Sequence, residues 1–156
     1  GVSGKDNNMI LFEFSKESPE ELSDVVTNYQ LINAINFDIL VLGSSSRKYG
    51  YRRSIHIWLT ERDHDNANLM ILLGYIILGH ADWREGAIEI FDVCAEDKFE
   101  SEREKLVSLV QAGRLPISPT NIKLIARTGE KTVKEIINEN STEADLTIIG
   151  FLCETL

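Results

Sequence analysis

Residues 55–91 read IHIWLTERDHDNANLMILLGYIILGHADWREGAIEIF, and this stretch decides the fold. Ile55 to Leu59 combine β-branched and aromatic side chains in a short run, the composition of a strand. Glu61, Arg62, Asp63, His64, Asp65 and Asn66 then supply a polar loop with several helix N-cap candidates. From Leu69 to Leu78 almost every residue is apolar, which predicts a helix buried on more than one side. Gly79 suits the end of that helix, and Ala87-Ile-Glu-Ile-Phe91 returns to strand. A helix joining two strands in this way makes the pair parallel and the crossover right-handed. The stretch is the centre of an α/β domain.

Upstream, Met9-Ile-Leu-Phe-Glu-Phe14 reads as a strand covered on both faces. Ser15 or Ser18 can cap the helix that follows, with Pro19 near its first position and Glu20 and Glu21 in the first turn. Apolar residues at helical spacing carry it through Ile35. Phe37-Asp-Ile-Leu-Val-Leu42 is a second strand, closed by Gly43-Ser-Ser-Ser46, after which Arg47, Lys48, Arg52 and Arg53 cluster. Downstream, residues 92–100 read as an acidic loop and Phe99 to Ala112 as a polar helix with Leu106, Leu109 and Val110 facing inward. Gly113 stops that helix, and Ile122-Lys-Leu-Ile-Ala126 is a strand. Thr128 to Val133 opens a last helix through Ile137, and Ala144 to Gly150 is the final strand.

The bulk composition bounds the function classes. A chain of 156 residues holds one ordinary core, or a compact core and part of another. With 43% hydrophobic and 26% charged residues it is globular rather than disordered. The formal charge of −9 makes duplex nucleic acid a poor partner, because affinity there comes from neutralising phosphates. Cys94 and Cys153 form no disulfide framework, and a cytosolic chain keeps both reduced. Gly1 to Asn8 is polar and gives no signal peptide, while the longest apolar run, Leu69–Leu78, is half of the roughly 20 residues that a bilayer requires.

Two segments share one form. Phe37-Asp-Ile-Leu-Val-Leu-Gly43 and Ala144-Asp-Leu-Thr-Ile-Ile-Gly150 each follow a strand and a helix. Residues 1–50 therefore read as the closing strand-helix-strand of one α/β unit plus a linker, and 51–156 as most of a second. An opening unit without its earlier partners implies that Gly1 is not a natural start.

The segment ending in Ala144-Asp-Leu-Thr-Ile-Ile-Gly150 resembles the universal stress protein fold, a parallel three-layer α/β sandwich, many of whose members bind ATP. Their phosphate loop begins Gly-x-x-Gly, and an Asp ends their first strand. Here Ser46 and Cys153 stand at the second glycine after Gly43 and Gly150, and Leu59-Thr60 stands at the Asp. The more specific resemblance is to the cytosolic C-terminal domain of cation-chloride cotransporters, in a compact prokaryotic form. Ile55-His-Ile-Trp58, the helix Leu69–Leu78, Trp83, Ala87-Ile-Glu-Ile-Phe91 and Ser141-Thr-Glu-Ala-Asp-Leu146 are similar to that family's Ile-Asp-Val-Trp strand, Leu/Ile-rich helix, Trp, Ile-x-Val-Phe strand and Ser-Ser/Thr-x-Ala-x-Leu ending. His56 stands at the family's acidic residue.

This resemblance implies a non-catalytic regulatory and dimerisation domain on the cytoplasmic side of the cell membrane. It implies a transmembrane transport domain in the same polypeptide that carries sodium, potassium and chloride by symport. No cofactor is implied. The alternative is a stand-alone universal stress-like protein that binds adenine nucleotide.

Few side chains point to chemistry of their own. Asp63, His64, Asp65 and His80 have the donor types of a zinc or manganese site. Neighbours on one loop rarely converge on one ion, so they read as a solvated capping loop and no metal is expected. No Ser, His and Asp stand at recognisable spacing and no Gly-x-Ser-x-Gly elbow is present, so no catalytic residue is expected. Gly43, Ser44 and Ser45 with Arg52 and Arg53 are the one candidate anion site, where loop amides and guanidinium groups would take a phosphate or lie near anionic lipid; the plainer reading is a solvated linker. Trp58 and Trp83 flank the central helix as core residues, and one of them is a candidate for a subunit contact.

Overall fold

The computed structural model describes residues 9–34, 38–63 and 65–151. They divide into two compact units, 9–48 and 49–151. In the first, β1 (Met9–Ser15) and β2 (Asp38–Ser44) pair in parallel with Met9 opposite Asp38 and Ser15 opposite Ser44. α1 (Leu22–Ala34) makes the crossover. A 3-10 turn over Pro19–Glu21 precedes it, and Pro19 stands where a missing N–H leaves no hydrogen bond unmade. Val25 is buried in the first half of α1. Ile35 and Phe37, expected in the helix and the strand, lie outside the described residues.

The second unit is a three-layer α/β sandwich. Its all-parallel sheet runs β5-β4-β3-β6, with β3 at Ser54–Thr60, β4 at Ala87–Cys94, β5 at Ile122–Ala126 and β6 at Leu146–Ile149. α2 (Ala67–Leu78) links β3 to β4, and α3 (Phe99–Ala112) links β4 to β5. α4 (Val133–Asn140) carries the chain back past β4 and β3 to β6. That last crossover runs the opposite way along the sheet, and right-handedness then puts its helix on the opposite face.

The strands divide their side chains by parity. Ile55, Ile57, Leu59, Ile88 and Ile90 meet Met70 and Ile71 of α2 and Leu106 and Val110 of α3 in the larger core. Trp58, Phe91 and Val93 meet Ile136 of α4 in the smaller one. Gly74 is the close-approach point of α2, since a methyl there would lie 2.8 Å from Ile57 Cδ1.

Three expectations change at their edges. The region read as an acidic loop from Asp92 is still strand through Cys94, because Asp92, Val93 and Cys94 pair with Leu124, Ile125 and Ala126. Asp92 is buried with them. The last helix starts at Val133 rather than Thr128, because Thr132 and Glu135 form a capping box there: Thr132 Oγ1 accepts from Glu135 N–H, and Thr132 N–H donates to the Glu135 carboxylate. β6 has four residues rather than seven, since its pairing with β3 runs from Leu146 to Ile149 only.

α2 departs from the sequence reading in a way that matters for function. It buries Met70, Ile71 and Gly74, but the sheet covers one side only. Leu72, Tyr75 and Ile76 stand on its outer side, 48%, 39% and 61% exposed.

Candidate functional site

Ligands of open parallel sheets bind outside the carboxyl ends of the strands, where the order of connection reverses. In the second unit that point lies between β3 and β6. The turn after β3 fills it. Thr60 N–H and Oγ1–H both donate to Asp63 Oδ2, at 2.8 and 2.6 Å, and the Asp63 side chain turns inward, leaving the residue 6% exposed. Gly150, just beyond β6, passes so close that a methyl on it would overlap Asp63 Oδ1. A phosphate placed here would meet a carboxylate and no free space. Asp63 thus serves the fold, and His64 lies outside the described residues. His80 accepts from Asp82 N–H at the head of a 3-10 turn, and no cluster of metal-ligating side chains occurs among the described residues.

The two segments of the candidate anion site are also held by the chain's own carboxylates. Gly43, Ser44 and Ser45 lie in the first unit, where Glu17 accepts from Ser46 N–H at 2.9 Å; that bond, first among several, draws the Glu17 carboxyl below its ordinary pKa. Arg52 and Arg53 lie in the second unit, where Asp145 takes the neighbouring amides: Tyr51 N–H at 2.9 Å on one oxygen, Arg53 N–H at 2.8 Å and Ser54 N–H at 3.1 Å on the other. The guanidinium groups pair with Asp82 (2.6 Å) and Glu85 (2.8 Å). Together with Arg84 they line an open cavity of about 400 Å³, three arginines against two acids.

One polar arrangement was not legible from spacing. On the α4 face, His56 lies on β3 with Ser141 Oγ 2.8 Å from Nδ1 and Glu89 Oε2 3.2 Å from Nε2. Trp58 Nε1–H donates to the same Ser141 oxygen at 2.8 Å, and Lys123 Nζ lies 2.8 Å from Glu89 Oε1. In the tautomer with its proton on Nε2, facing a carboxylate that only accepts, Nδ1 is an acceptor and Ser141 O–H donates to it. The chain of bonds is therefore directed, from Trp58 through Ser141 and His56 to Glu89. A serine, histidine and glutamate in contact have the composition of a hydrolytic relay. Here the Trp58 bond takes one lone pair of Ser141, and the four side chains together tie the turn after α4 to the sheet. The only clue in sequence is the β3–β4 register, which sets His56 opposite Glu89.

Phe91 closes this cluster. Its ring stacks on Trp58 with centroids 4.4 Å apart and planes 9° apart, and lies 4.9 Å from the His56 ring. Trp58 and Trp83 are 1% and 5% exposed, and both indoles are used inside the core. Three exposed apolar side chains, Leu72, Tyr75 and Ile76, lie between them in sequence on α2.

No family model matches the chain, and no curated protein does. Among solved structures, the chain is similar to one described as the cytoplasmic domain of a prokaryotic cation chloride cotransporter, at 15% identity and a TM-score of 0.59. The match covers 97% of this chain and 57% of that one, so the chain spans a little over half the length of its structural neighbour. At that identity the likeness establishes the fold. No helix among the described residues is long and apolar enough to cross a membrane.

Proposed function

We propose that the chain is a regulatory and assembly domain of a cation-chloride cotransporter-like membrane protein, placed on the cytoplasmic side and joined to a transport domain in the same polypeptide. The observation that carries this reading is the extent of the fold likeness, which spans 97% of the chain and therefore reaches into both units. The filled switch point fits a domain that works through its surfaces, because Asp63 and Gly150 stand where an adenine nucleotide would seat its phosphates. Sodium, potassium and chloride would be handled by the membrane part, and this chain would pass cytosolic signals to it.

Self-association belongs to the same reading, and α2 is the surface for it. Residues 66–81 contain no Asp, Glu, Lys or Arg in a chain of charge −9, so this is where two like-charged copies approach at least Coulomb cost. Leu72, Tyr75 and Ile76 form the centre of such a contact, and flanking residues must supply the rest of the roughly 800 Å² per partner that a stable interface buries.

The reading is tested on the gene. The reading frame that encodes this segment is expected to encode a series of apolar spans of about 20 residues each. A frame without such spans overturns it.

A further inference from the structure

His56 sits at a junction that one proton can alter. It is 7% exposed on the central strand, with both ring nitrogens engaged. Its Nδ1 partner, Ser141, is the residue that ends α4: Ser141 N–H donates to Ile137 O at 2.9 Å, and Ala144 N–H returns to Ser141 O at 3.1 Å. The turn that feeds β6 is thus tied to the sheet in part through the His56 ring, beside the Trp58–Ser141 bond and the Asp145 bonds to Arg53 and Ser54. Among the described residues, β6 is a strand of four residues that pairs with β3 alone.

Protonation at Nδ1 changes the direction of that bond. Nδ1–H must then donate to Ser141 Oγ, which already accepts from Trp58 Nε1–H. With both lone pairs taken, the Ser141 hydroxyl proton needs a new acceptor, and solvent at the partly exposed turn is the source of one. The charges acting on the ring come from the neighbouring strands: Glu89 on β4 favours the imidazolium and Lys123 on β5 opposes it. The turn after α4 contributes Ser141, and β6 contributes Thr147 at the register position beside His56, neither of which titrates near neutrality. Burial is the largest influence on the ring and lowers its pKa from the ordinary value.

We propose that His56 makes the α4–β6 segment a proton-responsive element, in which one proton on Nδ1 reverses the Ser141 hydrogen bond and loosens the segment from β3 as the pH falls below about 6.5. The sign follows from the depressed pKa. The closed state resists a proton that an opened state accepts at the ordinary value, so closure is complete above about 6.5 and is lost as the pH falls from there toward the lower closed-state value. This gives the proposed regulatory domain a chemical input, protons, and rests on that reading only for its biological meaning.

Hydrogen exchange read by mass spectrometry on this chain tests it, at pH 7.5, 6.5 and 5.5 with intrinsic rates corrected. Peptides within 133–149 are expected to exchange several-fold faster at pH 5.5 than at 7.5 relative to peptides of β3 and β4. His56→Gln, which stays neutral, is expected to abolish that difference. A Trp83→Phe background isolates Trp58, whose emission should titrate with a midpoint below 6.5 in the parent and stay flat with His56→Gln. Should His56→Gln fail to fold, Ser141→Ala serves instead: the Trp58 titration persists while the pH dependence at 133–149 is lost. Exchange in 133–149 that ignores pH, or that responds equally in His56→Gln, overturns the switch. That result leaves the transporter reading standing, whereas a reading frame without spans overturns that reading and leaves the switch.

Discussion

Gly150→Ala tests the filled switch point. A methyl group at this position overlaps Asp63 Oδ1 and comes within 2.7 Å of Asp63 Cγ. β6 is held by its pairing with β3, so the carboxylate is the part that must move. In moving it gives up the bonds from Thr60 N–H and Oγ1–H, at 2.8 and 2.6 Å. Hydrogen bonds to a charged group contribute about 1.5–3 kcal/mol each, and rehydration of the displaced carboxylate returns part of that. The expected loss is about 2–4 kcal/mol, or a fall in Tm of roughly 4–8 °C per kcal/mol for a unit of this size. Urea titration should show a lower midpoint with an unchanged slope. Asp63→Ala supplies the control: with the carboxylate gone the new methyl takes its place, and Gly150→Ala should then cost less than about 1 kcal/mol. The cycle therefore predicts a favourable coupling of about 1 kcal/mol or more between the two substitutions. Additive losses would refute the packing of Asp63 against Gly150, and with it the argument that the crevice has no room for a phosphate.

Three further outcomes follow from other surfaces. Ile76→Asp puts a charge on the outer side of α2, and light scattering is expected to show the parent as a dimer and the variant as a monomer with an unchanged fold; a parent that is monomeric at every concentration removes α2 as a self-association surface. Arg52→Ala with Arg53→Ala removes two exposed ion pairs, so it should cost under about 1 kcal/mol of stability. The same variant decides the anion reading of that loop, which ends if affinity for inorganic phosphate or anionic vesicles is unchanged. Cys94 is buried, and burial, helped by Asp92, pushes its thiol up to about 11. Iodoacetamide at pH 8 should therefore leave the Cys94 peptide unmodified in the folded chain and label it in urea; rapid labelling of the folded chain would contradict the burial of β4's end.

The order of strands and helices was legible because each element carries its own signal. The β3 and β5 runs are β-branched, α3 has an inward stripe, and Gly79 and Gly113 stop their helices. What spacing did not reveal depends on neighbours far away in the chain. Asp92 looks like a loop residue until β5 is placed beside it and supplies the ladder. The apolar sequence of α2 says that the helix can be buried all round, not that the sheet will cover one side and leave Ile76 outside. Ser141 and His56 stand 85 positions apart, and only the return of α4 across the sheet brings them together. The candidate anion site was legible as chemistry but not as occupancy: the amides of 51–54 do hold an anion, and it is Asp145.

The most direct measurement is ion uptake by the whole gene product. Cells expressing the full reading frame are expected to take up rubidium, as a stand-in for potassium, in a chloride-dependent manner. Removal of residues 1–156 should change that uptake while the proposed membrane part still reaches the membrane. Chloride-independent uptake, or uptake that is the same with and without the segment, would contradict the account.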